Sequence, residues 1–231
     1  MWRHVTMSAA MVLACSGSAL AQDAVFGANI GGFLVKGEDG RERNDVLRQN
    51  LSFLDFDLAD FNGATFGGDV LVSVGSFVEV GAGVNFYQRT VPTIHSEFVD
   101  EDGSEIESDL KLRNIPVALT ARLFPLTRDA RVQPYIGGGV QFNRWRYTEV
   151  GEFLDFSNGE IFRDSFTDEG MEIGPVIVGG IRFPVGGNAL IGGEWRYSTA
   201  KADVDPSLGF FGDTLDLGGN AFLFTVQFKL R

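Results

Sequence analysis

The sequence predicts an all-β protein, an eight-stranded antiparallel up-and-down β-barrel whose strands cross a membrane. Eight segments alternate apolar and polar residues with the period of two that is typical of strands. These segments are 11–17 residues long, whereas strands of most soluble proteins have about 3–10 residues. The connections between them also alternate between short and long, as in a barrel with short turns at one membrane face and long loops at the other.

The order of the segments defines this alternation of the connections. Short connections follow the second, fourth and sixth strands, and long polar ones follow the first, third, fifth and seventh. A soluble lipocalin-like barrel can mimic part of the pattern and stays an alternative. The predicted strands span residues 23–36, 64–74, 77–89, 110–124, 131–147, 171–184, 188–199 and 214–230. The predicted long loops span residues 37–63, 90–109, 148–170 and 200–213.

Composition excludes two broad classes of protein. The chain has 231 residues, of which 44% are hydrophobic, and this share excludes a disordered chain. The formal net charge is -12 and no basic stripe occurs, so nucleic acid is not expected as a partner.

The first residues predict export from the cytoplasm. Arg3 is followed by a short apolar run and by small residues at Ala19 and Ala21. This pattern is typical of a secretory signal peptide, here residues 1–21, which leaves residues 22–231 as one barrel domain. Cys15, the only cysteine, lies in a setting that loosely resembles a lipoprotein cleavage box, so lipidation there stays an alternative to ordinary cleavage.

The charged residues of the predicted strands share one face. In the third strand, for example, Val78 to Phe86 alternate with Glu79 and Asn85. In a membrane barrel the apolar face contacts lipid, and charges on the other face need partners inside the lumen. We therefore predict a network of ion pairs and hydrogen bonds that plugs the lumen. Its predicted members are Asp69, Glu79, Asn85, Arg122, Gln141, Arg182, Glu194, Arg196, Gln227 and Lys229.

Aromatic residues near the predicted strand ends suggest girdles at the two membrane interfaces. An ordinary enrichment of aromatic residues in β proteins explains any single one equally well. The predicted girdle residues are Phe77, Phe86, Tyr87, Phe124, Phe142, Trp145, Tyr147, Phe183, Trp195 and Tyr197.

The last strand, FLFTVQFKLR, is predicted to close the barrel by pairing with residues 26–34. With these features the chain resembles the small eight-stranded outer-membrane β-barrels of the OmpA transmembrane-domain, OmpX and OmpW kind. The resemblance implies the outer membrane of a Gram-negative-type bacterium, contact with its lipid and lipopolysaccharide, and help from the barrel-assembly machinery. It also implies an assembly signal of alternate hydrophobic residues, here Phe222, Phe224, Val226, Phe228 and Leu230. The family pattern ends in an aromatic residue, and this chain departs from it by ending in Leu230-Arg231.

Two further segments carry side chains that could bind a metal ion or act in catalysis. Residues 95–109 hold seven Asp or Glu and no Lys or Arg, which makes a calcium site conceivable, although the EF-hand spacing is absent and a solvated loop fits better. Some barrels that this chain resembles in architecture modify lipid A with a His and a Ser, and His95-Ser96 supplies these two residue types. No third group at a diagnostic spacing orients the pair, however. We therefore expect no catalytic residues, metal or cofactor.

The sequence predicts a structural or surface-interaction role for a barrel with a plugged lumen. The alternatives are a narrow channel for small polar solutes and a lipid A-modifying enzyme. No surface partner can be specified from the residues.

Overall fold

Eight antiparallel strands close into a ring in the computed structural model, which describes residues 24–100, 102–155 and 158–230. The predicted fold class is confirmed. The barrel strands are β1 (Ala24–Val35), β3 (Gly63–Val74), β4 (Val78–Val99), β5 (Glu105–Leu123), β6 (Gln133–Leu154), β7 (Ile161–Val185), β8 (Ala189–Ser198) and β11 (Gly219–Leu230). The connections contain one α-helix and three short strands: α1 (Val46–Asn50), β2 (Leu54–Asp55), β9 (Lys201–Asp203) and β10 (Thr214–Asp216).

The predicted signal segment, with Cys15, and the terminal Arg231 lie outside the described residues. None of the helices in the described ranges is long and apolar enough to cross a membrane.

The ring is closed by its first and last strands. β1 pairs with β11 along its whole length, from Ala24 opposite Leu230 to Val35 opposite Gly219, and its other edge pairs with β3. An unpaired backbone group in lipid costs several kcal/mol, so a sheet that crosses a membrane has to close in this way. The predicted pairing of the closing strand with the first is confirmed.

An apolar belt surrounds the barrel on its outer face. It includes Phe222, Phe224 and Phe228 of β11, each more than half exposed, while Val226 between them is half-buried. Such a large exposed apolar surface is unusual on a protein surrounded by water and typical of one that contacts lipid. Other exposed members of the belt are Phe26, Ile30, Phe66, Val70, Val80, Val84, Val117, Leu119, Ile136, Val140, Ile173, Ile177 and Leu230.

The predicted loops 90–109 and 148–170 are wrong for most of their length. β4 runs to Val99 and β5 begins at Glu105, while β6 runs to Leu154 and β7 begins at Ile161. Beyond the belt the apolar face of these strands changes side. In β5, for example, Val117 faces outward within the belt, whereas Leu112 and Leu110 face inward beyond it and are almost fully buried. The regular alternation breaks where the faces exchange, so the sequence pattern predicts that the strands end there.

The predicted last strand, residues 214–230, is interrupted. Leu217 and Gly218 separate β10 from β11, and β10 turns back to pair with β9. Alternation continues across this break, because Leu215 and Leu217 are both buried in the same apolar core as the barrel side chains.

Four of the ten predicted girdle residues point into the barrel. Tyr87, Phe124, Trp145 and Tyr147 are almost fully buried, because their positions in the alternation put them on the lumen side. They pack against interior groups and do not contribute to an interface girdle.

The segments 36–62 and 199–218 fold into the long-loop end of the barrel. Side chains of α1, β9 and β10 form one apolar core with the inward-facing residues of the long strands. The members of this apolar core are Val46, Leu47, Leu58, Phe61, Tyr87, Val91, Leu110, Leu112, Trp145, Tyr147, Ala200, Ala202, Val204, Phe210, Leu215 and Leu217.

Asp45 joins the two inserted segments. Arg41 Nη1 donates to both carboxylate oxygens of Asp45, each at 3.0 Å. The carboxylate also caps α1 by accepting from the backbone N–H of Arg48 at 3.1 Å. It also accepts from the backbone N–H of Asp216 at 2.7 Å, and Asp216 pairs with Lys36 at 2.8 Å. This buried cluster attaches the segment after β1 to the segment before β11.

Close backbone contact requires glycine at one interior position of β6. A Cβ added to Gly139 would lie 1.8 Å from the carbonyl oxygen of Leu119 on β5, whereas one added to Gly32 on β1 would meet nothing within 4 Å. We expect Gly139→Ala to lower the fraction of protein that folds and Gly32→Ala to leave it unchanged. The measurement is the mobility shift between boiled and unboiled samples on a gel, and equal folded fractions for the two variants would contradict the prediction.

Candidate functional site

Arg182 is the centre of a polar layer near the short-turn end of the lumen. Its guanidinium makes two hydrogen bonds with the carboxylate of Glu79, at 2.9 Å and 2.6 Å. It also donates to the side-chain oxygens of Gln133 at 2.8 Å and Gln227 at 3.2 Å, and lies 4.5 Å from the centre of the Phe124 ring. A bidentate ion pair with further hydrogen bonds is the arrangement that makes a buried charge tolerable.

A second polar layer surrounds Arg122. Its Nη2 atom lies 3.0 Å from a carboxylate oxygen of Asp69 and 2.8 Å from one of Glu194. Glu194 also accepts a hydrogen bond from the hydroxyl of Tyr135 at 2.7 Å and pairs with Arg196. The layer therefore crosses the lumen from β3 through β5 and β6 to β8.

Amide side chains extend this second layer toward the apolar core. Arg196 donates to Asn85 Oδ1 at 2.6 Å, and Asn85 donates to Asn29 Oδ1 at 2.7 Å. Gln141 donates to Asn143 Oδ1 at 2.7 Å, so it lies in the lumen beside the ion pairs without joining them.

Lys229 differs from its predicted role. It lies on the lumen side of β11 but is only half-buried, and it makes no ion pair within residues 24–100, 102–155 and 158–230. Because it is one residue from the end of β11, its side chain reaches the rim of the barrel. Among the strand residues, the two polar layers therefore set Arg122, Arg182 and Arg196 against Asp69, Glu79 and Glu194.

Several members of these layers were not predicted. Gln133 lies on the same face as Gln141, so the alternation of β6 could have identified it. Tyr135 and Asn29 belong to the same layers, but a single tyrosine or asparagine in a strand carries no signal of burial beside an ion pair. Arg128, in the turn after β5, lies 3.6 Å from Glu79, and its position in a turn gave no indication of this contact.

A small cavity separates the polar layers from the apolar core. It has a volume of about 40 Å³ and is lined by Asn85, Gln141 and Arg196 on one side and by Phe33 and Tyr87 on the other. This space holds at most a few water molecules.

A larger pocket opens at the long-loop end, between the β6–β7 hairpin and the two inserted segments. Its volume is about 390 Å³. Phe153 packs edge-on against Phe166 at 4.8 Å between ring centres, and Phe53 does the same with Phe211 at 4.9 Å. With Phe162, five phenylalanines line this space, which we call the outer aromatic pocket.

Glu149 lies at the wall of the outer aromatic pocket and is 3% exposed. Its Oε1 atom accepts hydrogen bonds from Asn50 Nδ2 at 2.6 Å and from the hydroxyl of Tyr147 at 2.8 Å. It is seven residues beyond Phe142, and the next outward residues after Phe142 are the polar Arg144, Arg146 and Thr148, so Glu149 lies outside the membrane-spanning part of that strand. Burial raises the pKa of the Glu149 carboxyl above its usual value, and the two hydrogen bonds oppose this only in part.

The segment 95–109 forms part of the β4–β5 hairpin. His95 Nδ1 accepts from the backbone N–H of Glu97 at 3.3 Å, and Ser96 Oγ donates to the carbonyl of Phe53 at 3.0 Å. Ser96 therefore points to the backbone of the inserted segment and not to an imidazole. In the part of the chain that the structure describes, no group of three or more His, Cys, Asp or Glu is placed to hold a metal ion.

Removing one partner of the buried Glu79–Arg182 pair should be costly. Glu79→Ala leaves the Arg182 charge buried without its carboxylate, and we expect a loss of about 3–5 kcal/mol in the free energy of unfolding. Glu169→Ala is the matched control, because Glu169 pairs with Arg146 on the surface where both side chains are nearly half exposed. That change should cost at most about 1 kcal/mol. Urea unfolding of the folded barrel measures both, and equal losses would disprove the difference between buried and exposed pairs.

Glu149→Gln should change how stability depends on pH. Since burial raises the folded-state pKa, the folded protein keeps a proton that the unfolded chain releases once the pH rises above its own value near 4.5. Stability from this group therefore falls as the pH increases through the window between the two values. The free energy of unfolding of Glu149→Gln, measured relative to wild type, should therefore be higher at pH 7 than at pH 4. An identical pH dependence of unfolding in the two proteins would contradict this.

Known families and structures agree with this architecture. The sequence matches the family of the outer membrane protein beta-barrel domain over residues 7–229. Among solved structures, the outer membrane protein OprG from Pseudomonas aeruginosa is similar at 12% identity, with 91% of this chain and 97% of that chain covered and a TM-score of 0.54. Neisserial surface protein A is similar at 12% identity, over 90% of this chain and 97% of that one, with a TM-score of 0.48.

A comparison with curated proteins finds no match. At this identity the likeness to OprG supports the fold alone. The family match, in contrast, spans nearly the whole of a chain that forms a closed eight-stranded ring with an apolar outer belt. The protein therefore belongs to the family of the outer membrane protein beta-barrel domain.

Proposed function

We propose that this outer-membrane barrel is closed to solutes and has a structural or surface-interaction role. The observation that carries the proposal is that two obstructions follow one another along the lumen. The Arg182 and Arg122 layers occupy the half near the short turns, and the apolar core occupies the half near the long loops.

A narrow channel for small polar solutes would need a continuous water path past both obstructions. The cavity between them is only about 40 Å³. The interior of an eight-stranded barrel is just wide enough to be filled by side chains. The apolar core offers few polar groups to replace the hydration of a solute, since the hydroxyls of Tyr87 and Tyr147 already form hydrogen bonds within the protein. These points favour closure over conduction.

The long-loop end is the part available to a surface partner. In barrels of this kind the long connections lie outside the cell and the short turns lie in the periplasm. The strands β4 to β7 continue beyond the belt, where their outward residues become polar, as at Arg113 and Arg144 after Ile115 and Phe142. We assign the interaction role to this surface and no catalytic step to the barrel.

Biogenesis and surroundings follow from the same proposal. Residues 1–21 serve as a cleaved export signal, and the belt contacts outer-membrane lipid with lipopolysaccharide on the outer side. The outward row Phe222, Phe224, Val226, Phe228 and Leu230 of β11 serves as the assembly signal that the barrel-assembly machinery reads.

Planar-bilayer recording tests the closure. We expect no steady unitary conductance from wild type, and none from Glu79→Ala with Arg182→Ala, because the apolar core closes the lumen independently. Adding Arg122→Ala, Leu47→Ser and Leu215→Ser to that pair disrupts both polar layers and the apolar core and should produce conductance. Boiled and unboiled gels confirm that each inserted protein is folded. Steady unitary conductance from the wild type would overturn the proposal.

A further inference from the structure

We propose that the outer aromatic pocket binds an organic ammonium cation that carries an apolar body. The pocket lies beyond the apolar core, on the side of the long connections, so ligand binding there does not depend on whether the lumen conducts. The inference goes beyond the proposed role by naming the chemistry of a ligand at this surface.

The charges around the pocket favour a cation. Three carboxyl groups line it, from Glu149, Glu152 and Asp155. The basic side chain among the described residues that line it is His95, and burial lowers the pKa of that imidazole, which favours its neutral form. The nearby Arg163 pairs with Glu152 at 2.9 Å, so this pair adds little net charge and the negative character of the wall comes from Glu149 and Asp155. An anionic amphiphile such as a fatty acid would meet like charges there, which disfavours it.

The aromatic walls favour an organic cation over a metal ion. A ring face attracts a cation through its quadrupole, and several rings around a carboxylate form the kind of site that recognises substituted ammonium groups. Hard metal ions instead need several oxygen ligands in one place. The volume of about 390 Å³ also falls in the range of small-molecule sites, about 300–1,000 Å³.

Glu149 is placed to contact the ammonium group. Both of its hydrogen bonds, from Asn50 and Tyr147, end on Oε1. Oε2 accepts no hydrogen bond from the described residues and is available to a ligand donor. A bound cation would favour the ionised carboxylate and so offset the cost of its burial.

Gly209 helps to shape the opposite wall. It has a φ of +99°, in the region that favours glycine, and an added Cβ would lie 2.8 Å from the Phe166 ring. The segment before β10 can therefore approach the β6–β7 hairpin closely enough to enclose a ligand.

Calorimetric titration of the full chain in a nonionic detergent tests the charge preference. The probes share one benzene ring: benzylammonium, the neutral benzyl alcohol and the anionic phenylacetate. We expect the ammonium probe to bind at least about tenfold more tightly than either of the others, the effect of one charged contact. Equal affinities for the three probes would show an apolar pocket without charge selectivity and would overturn the proposal.

Variants of the wall test the two kinds of contact. Glu149→Gln keeps an oxygen that can accept from Asn50 and Tyr147, and it should weaken binding of the ammonium probe about tenfold. Phe153→Leu should weaken it about three- to tenfold, whereas Phe153→Tyr, which keeps the ring, should not. Glu105→Gln changes an exposed carboxylate outside the pocket and should have no effect.

The gel shift on boiling verifies that each variant is folded before titration. Wild-type affinity in both Glu149→Gln and Phe153→Leu would also overturn the proposal. Because conductance is recorded separately, failure of this inference and failure of the proposed closure are distinguishable.

Discussion

The rest of the structure depends on the pairing of β1 with β11. Lipid offers no hydrogen bonds to a backbone, so every N–H and C=O within the belt has to find its partner in the next strand. Twelve residue pairs between these two strands complete the ring. Closure with eight strands then leaves an interior only wide enough for side chains. A charge that faces inward must therefore find its partner among the other inward residues, as Arg182 does with Glu79.

The long strands pass through two solvents, and their apolar face changes side between them. Within the belt, lipid lies outside, so Val117 faces outward while Arg122 faces inward. Beyond the belt, water lies outside, so Arg113 and Lys111 face outward while Leu110 packs inside. The interior therefore has a polar half and an apolar half. The inward face turns from polar to apolar at the same position along the barrel axis in β4, β5 and β6, because a single membrane edge sets this position for all three strands.

The inserted segments turn the apolar half of the barrel into a protein core of the ordinary kind. α1, β9 and β10 cover side chains that would otherwise face an empty lumen, and the cluster around Asp45 holds the two segments together. The same packing leaves a space against the β6–β7 hairpin, the outer aromatic pocket. The apolar core and the pocket at the outer end thus have one structural cause.

Period-two alternation in the sequence determined the strands of the belt, their outward face and the closing strand, because lipid contact imposes one rule on every residue of that band. It also identified Glu79, Arg122 and Arg182 as inward charges, since a charge on the lipid side is costly. Alternation gives only the face, however. The partners of Arg122 and the rim position of Lys229 depend on the position of each residue along the barrel axis, which the register between strands fixes. The strand extensions are local hairpins, and alternation missed them because the apolar face changes side beyond the belt. The apolar core and the pocket with Glu149 were decided only by the tertiary structure, since each brings together the two inserted segments and the long hairpins, which are distant in sequence and which no local pattern relates.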